Sequence, residues 1–273
     1  MKPDFALNHM TVAPLSQSAL IALASRLGCA AVEFRNDLPG ANLTADRAAC
    51  LGGEAGAANL RIAGLSEIKP FNHWSVDTDA QARALMDIAV RLGAEAVCLI
   101  PRCDGEEREP GVRNANLRIA LRELVPLLEE FDLIGLVEPL GFERSSLRTK
   151  AEALDAIDGL SARGRIKLVH DTFHHHLAGE SEFFPDDTGI VHVSGVEDAV
   201  PRERMEDTDR VLVGPADRLG TVAQVAALRD KGYRGPISFE VFSPKIQNLE
   251  NPEDHLAESI TFIEGELGKA AGS

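Results

Sequence analysis

The stretch LVHDTFHHHLAG, residues 168–179, gathers four of the chain's eight histidines around one aspartate. Histidine-rich tracts bind metals compositionally, with no fixed geometry, so the tract alone assigns no ligand. Four other ionisable positions share a more telling context, each closing an apolar run. Glu138 ends LIGLVE, Asp171 ends IKLVHD, His192 ends GIVH and Glu240 ends GPISFE. Three carboxylates in a water-poor pocket repel one another, which raises their pKa values and costs stability. A divalent cation removes that cost. Three carboxylates and a neutral imidazole offer hard oxygen and borderline nitrogen donors, a set suited to Mn, Mg, Co or Zn. Any one of the four reads equally well as a helix cap or a structural ion pair. Only the four together point to one divalent metal ion.

Such residues need elements that carry them to one place. Short apolar, β-branched runs predict strands at 5–12, 30–35, 61–68, 94–101, 133–140, 166–173, 189–196 and 235–242. Helical periodicity lies between them. Leu117, Leu121, Leu124 and Leu128 mark one face of a helix in residues 114–131, and Leu256, Ile260, Ile263 and Leu267 mark another in 253–267. Gly28, Gly93 and Gly232 stand where the first, third and seventh helices should stop. Eight strand–helix units without a linker predict a single (β/α)8 TIM barrel over residues 1–273, an α/β fold. An open doubly wound sheet would want a glycine-rich turn after its first strand, where this chain has MTVAPLS. In a barrel the C-terminal strand ends converge on the site, and these are where the four ionisable residues fall. The sixth connection is short. The seventh, residues 197–220, is long and polar and reads as an active-site loop.

Composition narrows the partners. The chain carries 43 acids against 28 bases, a formal charge of −15, which opposes binding to nucleic acid. No long apolar run predicts a membrane span, and no signal peptide is evident, so a cytoplasmic protein is expected. Cys29, Cys50, Cys98 and Cys103 lack C-x-x-C spacing and are expected to be buried free thiols.

VEFRNDLP, VEPLGF, DTFHHH, VHV with a following ED, DTDRVLVGPA and ISFEVFSP, spread over residues 30–262, resemble the xylose isomerase-like TIM barrels, and among them the inosose isomerases. The D-x-D-R-V element, Asp207 to Val211, is the least generic of these matches. The resemblance implies one divalent metal held by Glu138, Asp171, His192 and Glu240, with Glu138 and Glu240 also moving protons. It places His174, through the D-x-x-H element begun by Asp171, beside the substrate. The implied reaction moves a carbonyl along 2-keto-myo-inositol or a related polyol through a cis-enediolate, as in inositol catabolism. Ser194 and Gly195 depart from the acidic residues expected after the strand-seven histidine, which leaves some substrate contacts open.

Arg202 and Arg210 in the long loop, and Arg35 after strand two, are further candidates for substrate hydroxyls. Lys69, His73 and Trp74 also lie within reach of the barrel mouth. His170 should point outward by strand alternation, while His175 and His176 should sit behind the ligands or face solvent. A ketose 3-epimerase, a hydroxypyruvate-type isomerase or a dehydroshikimate-type dehydratase would use the same ligand set. A nuclease of the endonuclease IV type would need further histidines that LIPRC, at the end of strand four, does not supply. A non-catalytic barrel, binding polyols or a protein, would have no need of the intact ligand set. A homo-oligomer is compatible with the resemblance.

Overall fold

Eight parallel strands close into a barrel in simple chain order, the eighth pairing back with the first. The computed structural model describes residues 2–40 and 43–270. The strands are β1 (Phe5–Asn8), β2 (Ala31–Arg35), β3 (Arg61–Ile68), β4 (Ala96–Leu99), β5 (Ile134–Val137), β6 (Ile166–Asp171), β7 (Thr188–Val193) and β8 (Ile237–Phe239). The helices are α1 (Gln17–Arg26), α2 (Ala45–Ala57), α3 (Val76–Leu92), α4 (Pro110–Glu130), α5 (Lys150–Asp158), α6 (Thr172–Ala178), α7 (Thr221–Asp230), α8 (Pro244–Gln247) and α9 (Pro252–Ala270). No helix among the described residues is long and apolar enough to cross a membrane.

Period-two alternation sorts each strand into two apolar layers. Leu7, Val32, Phe34, Val97, Leu168, Val191 and Phe239 belong to the larger buried cluster, which includes the leucines of α4. Ala6, Ala31, Ala63, Ala96, Leu136, Val169 and Ile190 belong to a second cluster that fills the barrel itself. Small side chains dominate that inner layer because eight strands leave little room at the axis. Nearer the C-terminal ends the same inward positions turn polar. Strand register sets Asn8 beside Glu33, Asp171 beside His192, and His192 beside Ser238.

The helices begin where their caps dictate. Ser16, Thr44 and Ser75 accept a backbone N–H at the starts of α1, α2 and α3, and Thr149 forms a capping box with Glu152 on α5. Gly93 closes α3 in the left-handed region, as its place in the sequence predicts. Leu117, Leu121, Leu124 and Leu128 all face the core, and full burial of such a side chain is worth about 1.5–3 kcal/mol.

Several strands end sooner than the apolar runs suggest. β1 stops at Asn8, whose Oδ1 accepts the Met10 N–H at 3.0 Å and bends residues 9–12 into a 3-10 turn. β6 stops at Asp171 rather than Phe173, because the Asp171 carboxylate caps a helix by accepting the His174 N–H at 2.9 Å. That helix, α6, fills the short sixth connection. The cysteines are free, with Cys29 and Cys98 buried. Cys50 and Cys103 correct the expectation, because Cys50 lies on the solvent side of α2 and Cys103 is only half-buried.

Gly141, in the turn after β5, lies against α6. A Cβ there would stand 2.3 Å from the His174 carbonyl oxygen and 2.6 Å from Leu177 Cβ. Overpacking against fixed neighbours costs about 1–3 kcal/mol, and each kcal/mol moves the midpoint of a chain this size by about 2–4 °C. Gly141→Ala should therefore lower the thermal midpoint by several degrees in calorimetry. A midpoint within one degree or so of wild type would mean that α6 shifts without cost.

Candidate metal centre

Glu138, Asp171, His192 and Glu240 each offer one donor atom, and the four atoms lie within 4.8 Å of one another with every side chain buried. His192 Nδ1 is 3.3 Å from Glu240 Oε2 and 3.9 Å from Glu138 Oε1. It has no hydrogen-bond partner among the described residues. A buried nitrogen without a hydrogen bond, set among carboxylates, is an environment that a cation would satisfy. The donor set, three carboxylates and an imidazole, fits a divalent ion.

Two guanidiniums reach into this cluster. Arg210, fully buried, donates to Asp171 Oδ2 at 2.5 Å, to Glu240 Oε2 at 3.1 Å and to Ser194 Oγ at 3.1 Å. The rings of Phe173 and Phe242 flank it. Arg35 donates to Glu240 Oε1 at 2.9 Å while its other nitrogens hold Asp37 and Glu67. Two of the three arginines expected from the sequence thus sit among the strand-end carboxylates. Arg202 does not: it is exposed and lines a separate cavity with Arg108, Phe142, Arg144 and Arg148.

Sequence reasoning passed over a fourth carboxylate. Glu33, on β2, is completely buried; its Oε2 lies 3.1 Å from His192 Nε2, and its Oε1 accepts from Ser238 Oγ at 2.5 Å and from Asn8 Nδ2 at 3.2 Å. The signal was an acid inside VEF, between two outward apolar residues, which alternation turns into the barrel. Asn8 also donates to Glu240 Oε1 at 3.3 Å. With Glu33 included, four carboxylates face Arg35, Arg210 and the imidazole of His192, and Arg35 is shared with Asp37 and Glu67.

Titration follows this balance. Burial, with Glu240 close by, raises the Glu138 pKa, and burial raises Asp171 against the pull of Arg210. Burial would raise Glu240 too, but His192, Arg210 and Arg35 hold it well below the usual carboxylate range. Burial alone would lower His192, yet Glu33 and Glu240 carry it well above the usual imidazole value. His174 is lowered by burial to about 4 and is neutral near pH 7. Its ring lies edge-on to Phe142 and Phe173, with Nε2 at 3.8 Å from Glu138 Oε1 and Nδ1 unpaired.

The remaining sequence candidates divide. His170 points outward, as alternation predicts, and bonds Gln224 on α7. His175 neither sits behind the ligands nor faces solvent. It is buried beside α5, 2.9 Å from the Lys150 ammonium. His176 is half-buried. Lys69 and His73 are half exposed on the rim, near Glu67 and Glu107, and Trp74 packs against the outer core. Ser194 and Gly195, where acids were expected, hold the long loop: Ser194 receives Arg210, and Gly195 exchanges backbone hydrogen bonds with Val211, both at 2.8 Å.

Compared with known proteins, the chain matches the sequence model of the xylose isomerase-like TIM barrel over residues 21–265. The chain belongs to that family. A solved member, a xylose isomerase domain containing protein from Salmonella typhimurium LT2, is 32% identical and superposes with a TM-score of 0.86 over 98% of both chains. The barrel also superposes on the IOLI protein, solved with a zinc atom, with a TM-score of 0.84 at 20% identity over 99% of both chains. Among sequence relatives of this xylose isomerase-like barrel, an inosose isomerase from Bacillus licheniformis is 26% identical over 188 residues. That match takes in 67% of this chain and 66% of the relative, just under two thirds of the relative's length.

Removing one partner of a buried ion pair costs about 3–5 kcal/mol, because the other charge is left unpaired. Arg210→Met should destabilise the barrel by about that amount in urea denaturation. Arg202→Ala, outside the cluster, should stay within about 0.5 kcal/mol of wild type. Equal losses in the two variants would show that Arg210 does not hold the carboxylates together.

Proposed function

We propose that the chain is a divalent metal-dependent isomerase acting on a small polyol or sugar ketone, with 2-keto-myo-inositol as its substrate. The observation that carries this is the buried quartet of Glu138, Asp171, His192 and Glu240, with His192 Nδ1, which makes no well-directed hydrogen bond, turned into it. The inosose isomerase relative supports the reaction and the zinc of the IOLI protein supports a metal. The four quartet residues would hold the ion, which when bound acts as a Lewis acid toward a carbonyl and an adjacent hydroxyl.

The chain's own groups supply the proton steps. Glu138 and Glu240 reach the site from β5 and β8, three strands apart, so the substrate lies between two carboxylates. One takes the proton from the carbon beside the carbonyl. The C–H pair becomes the C=C bond of an enediolate, and the carbonyl π pair moves onto oxygen. The proton of the adjacent hydroxyl passes to the former carbonyl oxygen, and return of a proton to the former carbonyl carbon leaves the new carbonyl on its neighbour. Glu138, with its imidazole neighbours at 3.8–3.9 Å, has no guanidinium partner among the described residues, so gaining a proton there breaks no arginine ion pair. Glu240 must do so against Arg35 and Arg210. His174, neutral and with an unpaired Nδ1, hydrogen-bonds a substrate hydroxyl. Arg210 and Arg35 keep the carboxylates apart and offer donors to substrate oxygens.

The test is an NMR assay in deuterium oxide with Mn, Mg, Co or Zn, presenting 2-keto-myo-inositol beside several ketoses. Conversion of 2-keto-myo-inositol with uptake of solvent deuterium, abolished by a chelator, is the expected result. Preference for a ketose would move the chain to the 3-epimerases. Turnover that survives complete metal removal would overturn the metal assignment. Positioned acid–base groups contribute about 10²–10⁴-fold, so Glu138→Gln and Glu240→Gln should each slow deuterium exchange at least about a hundredfold. Exchange at the wild-type rate would remove that residue from the proton path.

A further inference from the structure

We infer that Glu33 is a positioning residue for the metal centre, fixing the His192 ring so that Nε2 keeps its proton when a metal binds and Nδ1 is the nitrogen presented to the quartet. The inference rests on the metal assignment proposed above and adds a residue to it. Its basis is a chain of hydrogen bonds in which each role is set by the one before.

The chain starts at the backbone. The Met10 N–H, which can only donate, lies 3.0 Å from Asn8 Oδ1. The Asn8 amide is thereby oriented, and its NH₂ must face the carboxylates, 3.2 Å from Glu33 Oε1 and 3.3 Å from Glu240 Oε1. Ser238 Oγ donates to the same Glu33 oxygen at 2.5 Å. Both donors therefore converge on Oε1, and Oε2 is left for His192 Nε2 at 3.1 Å. An ionised carboxylate only accepts, so Nε2 carries hydrogen. A ligating imidazole nitrogen must be unprotonated, and the partner of the other nitrogen decides which one that is. Here that leaves Nδ1, the nitrogen without a hydrogen-bond partner, 3.3 Å from Glu240 Oε2.

This geometry makes an unusual demand on the isosteric variant. In Glu33→Gln the Asn8 amide still presents a donor, so the new carbonyl oxygen must take the Oε1 place. The new NH₂ then faces His192 Nε2, which has to accept, and the ring proton moves to Nδ1, where it blocks ligation. Glu33→Asp has a shorter reach but keeps two acceptor oxygens. If Glu33 were only packing, the isosteric Gln variant would be the milder of the two. If it sets the ring, Gln is the more damaging.

The experiment measures zinc affinity by chelator competition, with circular dichroism as a check of the fold. Partners of a ligating histidine are worth about 10–100-fold in metal affinity. Glu33→Gln should weaken zinc binding by about that factor and more than Glu33→Asp does. Equal or stronger binding by Glu33→Gln overturns the inference while leaving the metal assignment standing. Failure of the wild-type chain to bind any of the four metals overturns that assignment and this inference with it. Should the variants not fold, ¹⁵N-histidine NMR of zinc-loaded wild type decides. A proton on Nε2 with the metal on Nδ1 is expected, and the reverse assignment refutes the role.

Discussion

Four carboxylates buried around one imidazole are the constraint to which the rest of the barrel's mouth answers. Glu33, Glu138, Asp171 and Glu240 lie in a water-poor space, where repulsion between like charges is large and desolvation penalises each ion. Arg35 and Arg210 answer two of the charges, and Asn8 and Ser238 supply neutral donors to the oxygens that remain within reach. The carboxylates still outnumber the basic groups that face them. A divalent cation would satisfy such an arrangement.

The fold makes that concentration of charge possible by separating labour along each strand. Outward side chains tie the sheet to the helices, and inward ones toward the N-terminal ends are small and apolar. Stability is secured there, so the C-terminal layer can carry polar groups that alone would destabilise it. Asp171 shows how closely the two tasks join. One of its oxygens caps α6, which starts the helix bearing His174, and the other faces Arg210. Capping and charge pairing thus fix the spacing between a strand-end carboxylate and a histidine one turn later. The long loop after β7 completes the arrangement by carrying Arg210 inward, pinned by Gly195 and Val211 on one side and by Ser243 on the other.

Much of this was legible along the chain. Acids and a histidine that end apolar runs are a local pattern, and period-two alternation tells which face they take. Glu138, Asp171, His192 and Glu240 were therefore visible as a set, as were the barrel and the outward turn of His170. Arg202 and Arg210 could not be told apart, since eight positions within one polar loop carry no periodic signal. Only the path of the loop buries one and leaves the other on the surface. Cys50 and His175 were misplaced for a related reason: helix packing, not residue type, decides which face is covered.

Glu33 marks the boundary most clearly. The sequence by itself determined that an acid stands between Val32 and Phe34 on a strand, and hence that it points into the barrel. It also determined the eight strand–helix units and the quartet of strand-end ionisable residues, because those depend on neighbours within a few residues. What Glu33 touches was decided by closure of the barrel, which brings it to Asn8, His192 and Ser238 from 25, 159 and 205 positions away. Hydrogen-bond roles within that group depend on angles and distances between strands. Such distances exist only once the sheet has closed on itself, so the tautomer of His192 belongs to the tertiary structure alone.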